Sequence, residues 1–254
     1  MTNDRADLPA GFVRVTAGRC AAVTRAEFEE DARRLLLDGT LYEAAARDLA
    51  ARPLQGRGIA YSIALPVSGT RVVVRHNRHG GLLAPITRDL FLPPTRAPLE
   101  LVISERLREL GVPTPEVLMY GTGPAPFVFQ RSDVVTREIV GGRDLSTFMQ
   151  RESPAMTRVQ AWRATHTLLR TMTAAGARHH DLNVKNVLLA PLPPSDALMA
   201  YLLDVDRVTF GDRSSDEIRD ANVARLLRSA RKWRDERGAV FDERELDVTL
   251  DPSE

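Results

Sequence analysis

The spacing of hydrophobic positions changes near the middle of the chain. Up to Val140, apolar and β-branched residues occur in short runs separated by turn-forming groups such as Val67–Thr70, which is typical of β-strands. After Gly141-Gly142, apolar residues recur with the period of an α-helix over longer stretches. The predicted strands are Ile59–Leu65, Arg71–Arg75, Glu116–Tyr120, Phe127–Gln130 and Val134–Val140.

The sequence predicts helices before, between and after these strands. Gly111, Pro113 and Pro115 end a helix predicted over Pro98–Leu110, and Asp144 is placed to cap a helix running through Gln150. The other predicted helices are Arg25–Leu37, Tyr42–Arg47, Ala155–Ala175 and a charged helix over Ser215–Glu236. We therefore predict an α+β protein with two lobes. Residues 1–142 form a β-rich lobe with an N-terminal approach segment, and residues 143–254 form a mostly helical lobe.

Composition and charge limit the partners and the cellular compartment expected for this protein. Its 254 residues are 43% hydrophobic and 27% charged, with a net charge of +1, so no overall field attracts nucleic acid and no nucleic-acid partner is expected. A single cysteine, Cys20, cannot form an internal disulfide. No window reaches the roughly 18 apolar residues of a membrane span, and the first ten residues do not read as a signal peptide. We expect a cytoplasmic protein.

One polar segment in the predicted second lobe contains candidate catalytic and metal-binding residues. Asp181 and Asn186 lie five positions apart in a loop that runs into the apolar residues 187–189, and Asp204 follows a second apolar run. Asp181 would accept or orient the proton of an attacking hydroxyl, while Asn186 and Asp204 would offer oxygen ligands to magnesium. The alternative interpretation is structural, because Asp and Asn often make local hydrogen bonds in loops.

Candidate phosphate-binding residues lie upstream. Gly56 and Gly58 precede a predicted strand, and Arg75 ends the next strand, where its guanidinium could bind phosphate. Glu100 and Glu105 lie on the following helix, and we favour Glu100 as the carboxylate that pairs with Arg75. The segment His76–Gly81 is open to two interpretations, an exposed hairpin or an anion-binding loop. The basic stretch Arg219–Arg237 is likewise either a packed helix with a solvated face or a membrane-surface helix.

These motifs together resemble the lipopolysaccharide kinase family, with its protein-kinase-like fold, and within it the kinases of 3-deoxy-D-manno-octulosonic acid (Kdo). The resemblance runs from about Leu54 to Phe210 and is most specific in the run Arg75–Gly81 and in the Asp181-Leu182-Asn183 form of the catalytic loop. Its remaining landmarks are Gly56–Gly58, Thr95-Arg96, Glu100, Gly111–Pro115 and Leu203–Arg207.

The resemblance implies a role for each candidate residue. Asp181 would be the catalytic base, Asn186 and Asp204 the metal ligands, and Arg75 with Glu100 the phosphate clamp. Backbone groups of Thr136–Val140 would bind adenine, with Glu138 and Val140 as the expected contact positions. The sequence departs from protein kinases at Asn183, where they carry a lysine. Lys185 is one candidate to replace that charge, and Asp144 could reach the ribose.

The implied reaction transfers the γ-phosphoryl group of ATP, with Mg²⁺, to a hydroxyl of Kdo in a lipid A precursor at the cytoplasmic face of the inner membrane. About fifty residues follow Asp204, without the A-P-E signature of protein kinases, which favours a small or lipid-linked acceptor. Three alternatives remain: a kinase for another core sugar such as heptose, a small-molecule phosphotransferase, and a pseudokinase that binds nucleotide without turnover.

Overall fold

The computed structural model describes residues 8–55, 58–76, 95–125, 129–195 and 197–240. The chain forms two compact units, of which the first comprises Met1–Val102 and Glu116–Glu138 and the second Ile103–Pro115 and Ile139–Glu254. The division thus follows Glu138, whereas the sequence suggested Gly141-Gly142. Residues 103–115 belong to the second unit because the side chains of Ile103, Leu107 and Val112 are buried in its core.

The first unit is built on a seven-stranded antiparallel sheet with the order β1-β2-β6-β7-β5-β4-β3. Along β5, Val72 and Val74 are buried and the alternate positions, including Arg75, belong to the other face, as the two-residue period of a strand requires. The strands are β1 (Phe12–Ala17), β2 (Cys20–Arg25), β3 (Arg52–Gln55), β4 (Ile59–Ala64), β5 (Arg71–His76), β6 (Val117–Pro124) and β7 (Gln130–Arg137).

Helices α1 (Glu29–Leu37) and α2 (Leu41–Arg47) complete the core of the first unit. Helix α2 begins with a capping box, in which Thr40 Oγ1 accepts from the backbone N–H of Glu43 and Glu43 Oε2 accepts from that of Thr40. Helix α3 (Ala97–Glu109) starts in this unit, where Ala97 and Leu101 pack with residues of β6 and β7.

The second unit combines helices with two small sheets, ordered β11-β10-β8 and β12-β9. Its core joins Trp162 and Met172 of α5 to Leu182 and Val184 of the predicted catalytic loop and to Leu226 of α6. The elements are β8 (Arg143–Asp144), α4 (Leu145–Phe148), α5 (Ala155–Ala174), β9 (Ala177–His179), β10 (Val187–Pro191), β11 (Leu198–Leu202), β12 (Val208–Phe210) and α6 (Asp216–Arg237).

Most predicted elements are present, with differences at their ends. The predicted strand Val134–Val140 is part of β7, which begins at Gln130, the last residue of the preceding predicted strand, and ends at Arg137 and not at Val140. Part of the predicted strand Phe127–Gln130 lies outside the described residues. The helix expected to run from Asp144 through Gln150 is the single turn α4. No helix within the described ranges combines the length and the apolar character needed to cross a bilayer.

Candidate active site

The loop between β9 and β10 holds its shape through its own asparagines. Asn183 Nδ2 and Asn186 Nδ2 both donate to the backbone carbonyl of Asp181, at 2.8 and 2.9 Å. Such local side-chain bonds replace regular secondary structure in a tight loop. The carboxylate of Asp181 is left at the surface, with 48% of its side chain exposed. An acceptor hydroxyl can therefore reach it.

Asn186 and Asp204 lie on adjoining segments. The backbone carbonyl of Asn186 accepts from the N–H of Leu203 at 2.8 Å, which holds Asn186 next to the residue that precedes Asp204. Asn186 is buried, and because its Nδ2 donates to Asp181, its Oδ1 is the side-chain atom suited to meet a cation. An amide oxygen and a carboxylate are hard donors, the type that Mg²⁺ shares with substrate phosphates.

The backbone of Asp204 is in the left-handed region, with φ 53° and ψ 46°. Residues with a Cβ adopt this region rarely, although Asp and Asn tolerate it better than others. Such conformations persist where the surrounding structure enforces them, and they cluster at functional sites. The strain at Asp204 is consistent with a carboxylate held in a required orientation.

His179 joins the catalytic loop to the Asp204 segment. Its Nδ1 accepts from the backbone N–H of Asp181 at 3.0 Å, and its Nε2 donates to the carbonyl of Leu203 at 3.1 Å. These two bonds require a neutral ring protonated on Nε2. Burial lowers the pKa of His179, against smaller upward effects of the Leu203 hydrogen bond and of nearby carboxylates. The neutral ring therefore ties the position of Asp181 to that of Leu203-Asp204.

Helix α6 contacts the catalytic loop at successive positions. Asn222 is buried; its Oδ1 accepts from the N–H of His179 at 3.0 Å and its Nδ2 donates to the carbonyl of Ala177 at 2.9 Å. Further along α6, Ser229 Oγ accepts from the N–H of Val184 at 3.2 Å. The two polar side chains thus satisfy backbone groups of β9, just before the loop, and of Val184 within it.

Two further side chains of α6 reach side chains of the same loop. Arg225 Nη1 lies 3.9 Å from Asp181 Oδ1, and the ring centroid of Trp233 lies 5.1 Å from Lys185 Nζ. At 100° per residue, positions 222, 225, 229 and 233 fall within an arc of about 80°. One face of α6 therefore acts as a template for the catalytic loop.

Lys185 is engaged by groups of the second unit. Its Nζ donates to Asp144 Oδ2 at 2.9 Å and lies over the ring of Trp233. Asp144 is the N-cap residue of α4, as predicted, but its side chain makes no capping hydrogen bond. Its carboxylate accepts instead from the hydroxyls of Ser146 and Thr147 and from Lys185, and no backbone N–H of α4 donates to it. The three side-chain donors occupy the oxygens that a cap would need.

In the first unit, Arg75 and Glu100 form the expected ion pair. Arg75 Nη2 donates to Glu100 Oε1, and only 5% of the Glu100 side chain is exposed. A desolvated carboxylate holds a guanidinium firmly, which presets the orientation of Arg75. The Arg75 side chain is still 30% exposed, and its role in binding phosphate stays a prediction. The alternative carboxylate, Glu105, belongs to the part of α3 assigned to the second unit.

Glu138 ends the first unit within a cluster of polar side chains. Its carboxylate accepts from Ser62 Oγ at 2.8 Å, Arg71 Nε at 3.1 Å and Arg52 Nη2 at 2.7 Å. Its backbone N–H donates to the carbonyl of Arg71 at 3.0 Å. These bonds fix the backbone of Glu138, whose role in binding adenine stays a prediction.

The other predicted positions differ in how far the structure describes them. Gly58 lies in a bend before β4, Val140 is 77% exposed, and Gly56 is outside the described residues. His76 is turned inward, where its Nδ1 is paired with the buried carboxylate of Asp133. Residues 77–81, the remainder of the proposed anion-binding loop, are also outside the described ranges.

The loop-binding face of α6 is not predicted by the sequence, which indicates either a packed helix with a solvated face or a membrane-surface helix. A signal was present, because Asn222 and Ser229 occupy inward positions among Ile218, Leu226 and Ala230, where a purely structural helix would place apolar residues.

Comparisons with known proteins identify the family of this chain. The sequence model of the lipopolysaccharide kinase (Kdo/WaaP) family matches residues 45–243. The 3-deoxy-D-manno-octulosonic acid kinase of Actinobacillus succinogenes is 31% identical over 194 residues, which cover 74% of this chain and 78% of the relative. A protein of the same name from Haemophilus influenzae is 30% identical over 186 residues, which cover 70% of this chain and 73% of the relative. Another from Vibrio vulnificus is 26% identical over 201 residues, which cover 77% of this chain and 79% of the relative.

A solved structure supports the fold. WaaP, solved in complex with acyl carrier protein, superposes with a TM-score of 0.54 at 22% identity, over 90% of this chain and 86% of that chain. The α+β architecture is therefore protein-kinase-like, as the sequence predicted. The chain belongs to the lipopolysaccharide kinase (Kdo/WaaP) family, and it is a phosphotransferase that uses a nucleotide to phosphorylate a sugar hydroxyl.

Proposed function

We propose that this kinase transfers the γ-phosphoryl group of ATP to a hydroxyl of Kdo in a lipid A precursor. The observation that carries the proposal is the accessible carboxylate of Asp181, tied through His179 to the segment that bears Asp204. The acceptor assignment is supported by the relatives, which are named as kinases of this sugar acid and match about three quarters of their own length.

In the proposed reaction, Asp181 receives the proton of the acceptor hydroxyl as its oxygen attacks the γ-phosphorus. Asn186 Oδ1 and the carboxylate of Asp204 would hold Mg²⁺, which when bound neutralises charge on the nucleotide phosphates. Arg75, oriented by Glu100, would bind phosphate oxygens. Most of the catalysis then consists of positioning and electrostatic stabilisation.

Two parts of the proposal concern binding surfaces. The backbone groups of Glu138 and Val140 would bind adenine. The C-terminal part of α6, residues 231–237, would contact the anionic surface of the membrane that contains the acceptor, at the cytoplasmic face of the inner membrane. Its support is a set of exposed basic side chains: Arg231, Lys232, Arg234 and Arg237.

The acceptor is tested by comparing kcat/KM for Kdo-lipid A with kcat/KM for heptosylated lipid A, using ATP and magnesium. The proposal predicts a clear preference for Kdo-lipid A. It also predicts loss of at least about a thousandfold in kcat for Asp181→Asn, since that variant loses the proton acceptor. Asp220→Asn, the same change at an exposed carboxylate of α6, serves as the matched control and should leave kcat unchanged.

Preference for the heptosylated acceptor would contradict the Kdo assignment and leave the kinase intact. Nucleotide binding without phosphorylation of either lipid would favour the pseudokinase or a kinase for small molecules.

A further inference from the structure

The catalytic loop itself does not offer an obvious cation to the transferring phosphoryl group. Phosphoryl transfer spreads negative charge over three oxygens, and kinases stabilise it with positive groups. Asn183, at the position of the protein-kinase lysine, is neutral, and its amide is used at both ends: Nδ2 donates to Asp181 and Oδ1 accepts from the N–H of Lys185. The ammonium of Lys185 is held by Asp144 and Trp233.

Arg225 brings a cation to the catalytic carboxylate from α6. Its Nη1 lies 3.9 Å from Asp181 Oδ1, an ion-pair separation that is longer than a hydrogen bond. Its side chain is 43% exposed, so the guanidinium is accessible from solvent. The backbone around it is pinned, because Asn222 and Ser229 on the same helix face bind the loop on either side.

The reacting phosphorus is expected within roughly 6 Å of the Asp181 carboxylate, which is the group that the Arg225 guanidinium approaches. A hydroxyl bonded to Asp181 lies about 2.7 Å from the carboxylate, and in a near-attack geometry the phosphorus lies about 3–3.5 Å from that hydroxyl oxygen. The oxygens of the transferring group thus come within reach of the Arg225 guanidinium, which lies a few ångströms from Asp181. A planar guanidinium can bind two of them at once.

We propose that Arg225 is a catalytic residue that binds the transferring phosphoryl group. The proposal rests on the kinase activity and on Asp181 as the proton acceptor, but not on the identity of the sugar. As the acceptor oxygen forms its bond to the γ-phosphorus, the bond from phosphorus to the β,γ-bridging oxygen breaks and its electron pair leaves with ADP. The acceptor proton passes to Asp181, and Arg225 stays protonated throughout while it compensates charge on the equatorial oxygens.

A different role for Arg225 makes different predictions. If it recognised an anionic group of the acceptor, such as the carboxylate of a sugar acid, its loss would raise the KM for the acceptor. ATP hydrolysis in the absence of acceptor would not change. If it only stabilised the loop, its loss would lower the stability of the second unit, and added guanidinium would not restore activity.

The test compares Arg225→Gln with Arg228→Gln, the same change one turn further along α6 at an exposed position outside the loop-binding face. We expect Arg225→Gln to lower kcat for Kdo-lipid A and the rate of acceptor-independent ATP hydrolysis by a similar factor, about 100-fold. The KM for the acceptor should change little, and Arg228→Gln should match wild type. In Arg225→Ala, millimolar guanidinium should restore part of the hydrolysis.

A binding measurement provides a readout independent of turnover. Wild type should bind ADP with magnesium and aluminium fluoride, a mimic of the transferring phosphoryl group, more tightly than ADP with magnesium alone, and Arg225→Gln should lose that difference. A raised acceptor KM with unchanged ATP hydrolysis would overturn the proposal, as would an unchanged fluoride complex or an equal loss in Arg228→Gln. If wild type phosphorylates no Kdo-lipid A, the sugar assignment fails, and the hydrolysis and fluoride experiments still decide the role of Arg225.

Discussion

Replacing Asn222 by alanine should disconnect α6 from the start of the catalytic loop. The side chain is 1% exposed and makes two hydrogen bonds, one from the N–H of His179 and one to the carbonyl of Ala177. Alanine would leave both backbone groups buried without a partner. Because His179 orients Asp181, the change should lower activity as well as stability.

The structure allows the size of the effect to be estimated. An unsatisfied buried polar group costs roughly 1–3 kcal/mol, so two such groups should lower the free energy of unfolding of the second unit by about 3 kcal/mol. Ser229→Ala, which removes one longer bond from a half-buried side chain, should cost about 1 kcal/mol. Arg228→Ala, at an exposed position, should stay within about 0.5 kcal/mol of wild type.

The assay is urea unfolding followed by tryptophan fluorescence. The chain has two tryptophans, Trp162 and Trp233, and both belong to the second unit, so the signal reports on that unit. Hydrogen exchange at the amide of His179 gives a second measurement, because that N–H loses its acceptor in Asn222→Ala. An Asn222→Ala variant that unfolds within 0.5 kcal/mol of wild type, with the His179 amide still protected, would refute the template role of α6.

The remaining predictions concern charge at the site. Burial lowers the pKa of His179 below its ordinary value of about 6.5, so the unfolded chain binds that proton more readily and stability should fall as the pH drops below about 6.5. The free energy of unfolding, measured with urea, should fall less between about pH 7 and pH 5 in His179→Gln than in wild type. Burial also lowers the pKa of His166, but that residue contributes equally to both proteins. Glu100→Gln should raise the KM for ATP by about tenfold, because Arg75 loses its charged partner; steady-state kinetics at varied ATP will show this. Asp204→Asn keeps a residue that tolerates the left-handed backbone, so the free energy of unfolding should change by less than about 0.5 kcal/mol. A titration of activity with magnesium should show that the concentration required rises by at least about tenfold.

Local signals in the sequence predicted the features that depend on neighbouring residues. The two-residue period of the strand that ends at Arg75 and the helix that carries Glu100 are encoded locally, so their pairing could be expected. The loop from Asp181 to Asn186 is also short enough to be recognised as a motif. Its internal bonds, from two asparagine side chains to one carbonyl, involve residues no more than five positions apart.

Contacts between distant residues could not be predicted in the same way. Asn222 binds backbone groups more than forty positions away, and Asp144 pairs with Lys185 across a similar separation. Asp144 takes the N-cap position that its neighbours in the sequence predict, but the usual capping hydrogen bond is missing because Ser146, Thr147 and the distant Lys185 donate to its carboxylate instead. Arg225 was counted as part of a basic helix, since only the folded chain brings it to Asp181.

The central proposal for this protein is a phosphoryl transfer to Kdo-lipid A that depends on Asp181. The most direct test is the mass of Kdo-lipid A recovered after incubation with the protein, ATP and magnesium, with Asp181→Asn in parallel. Wild type should increase the acceptor mass by one phosphoryl group, and Asp181→Asn should leave it unchanged on the same time scale. An acceptor whose mass does not change with wild type, while the nucleotide is bound or hydrolysed, would contradict the proposal.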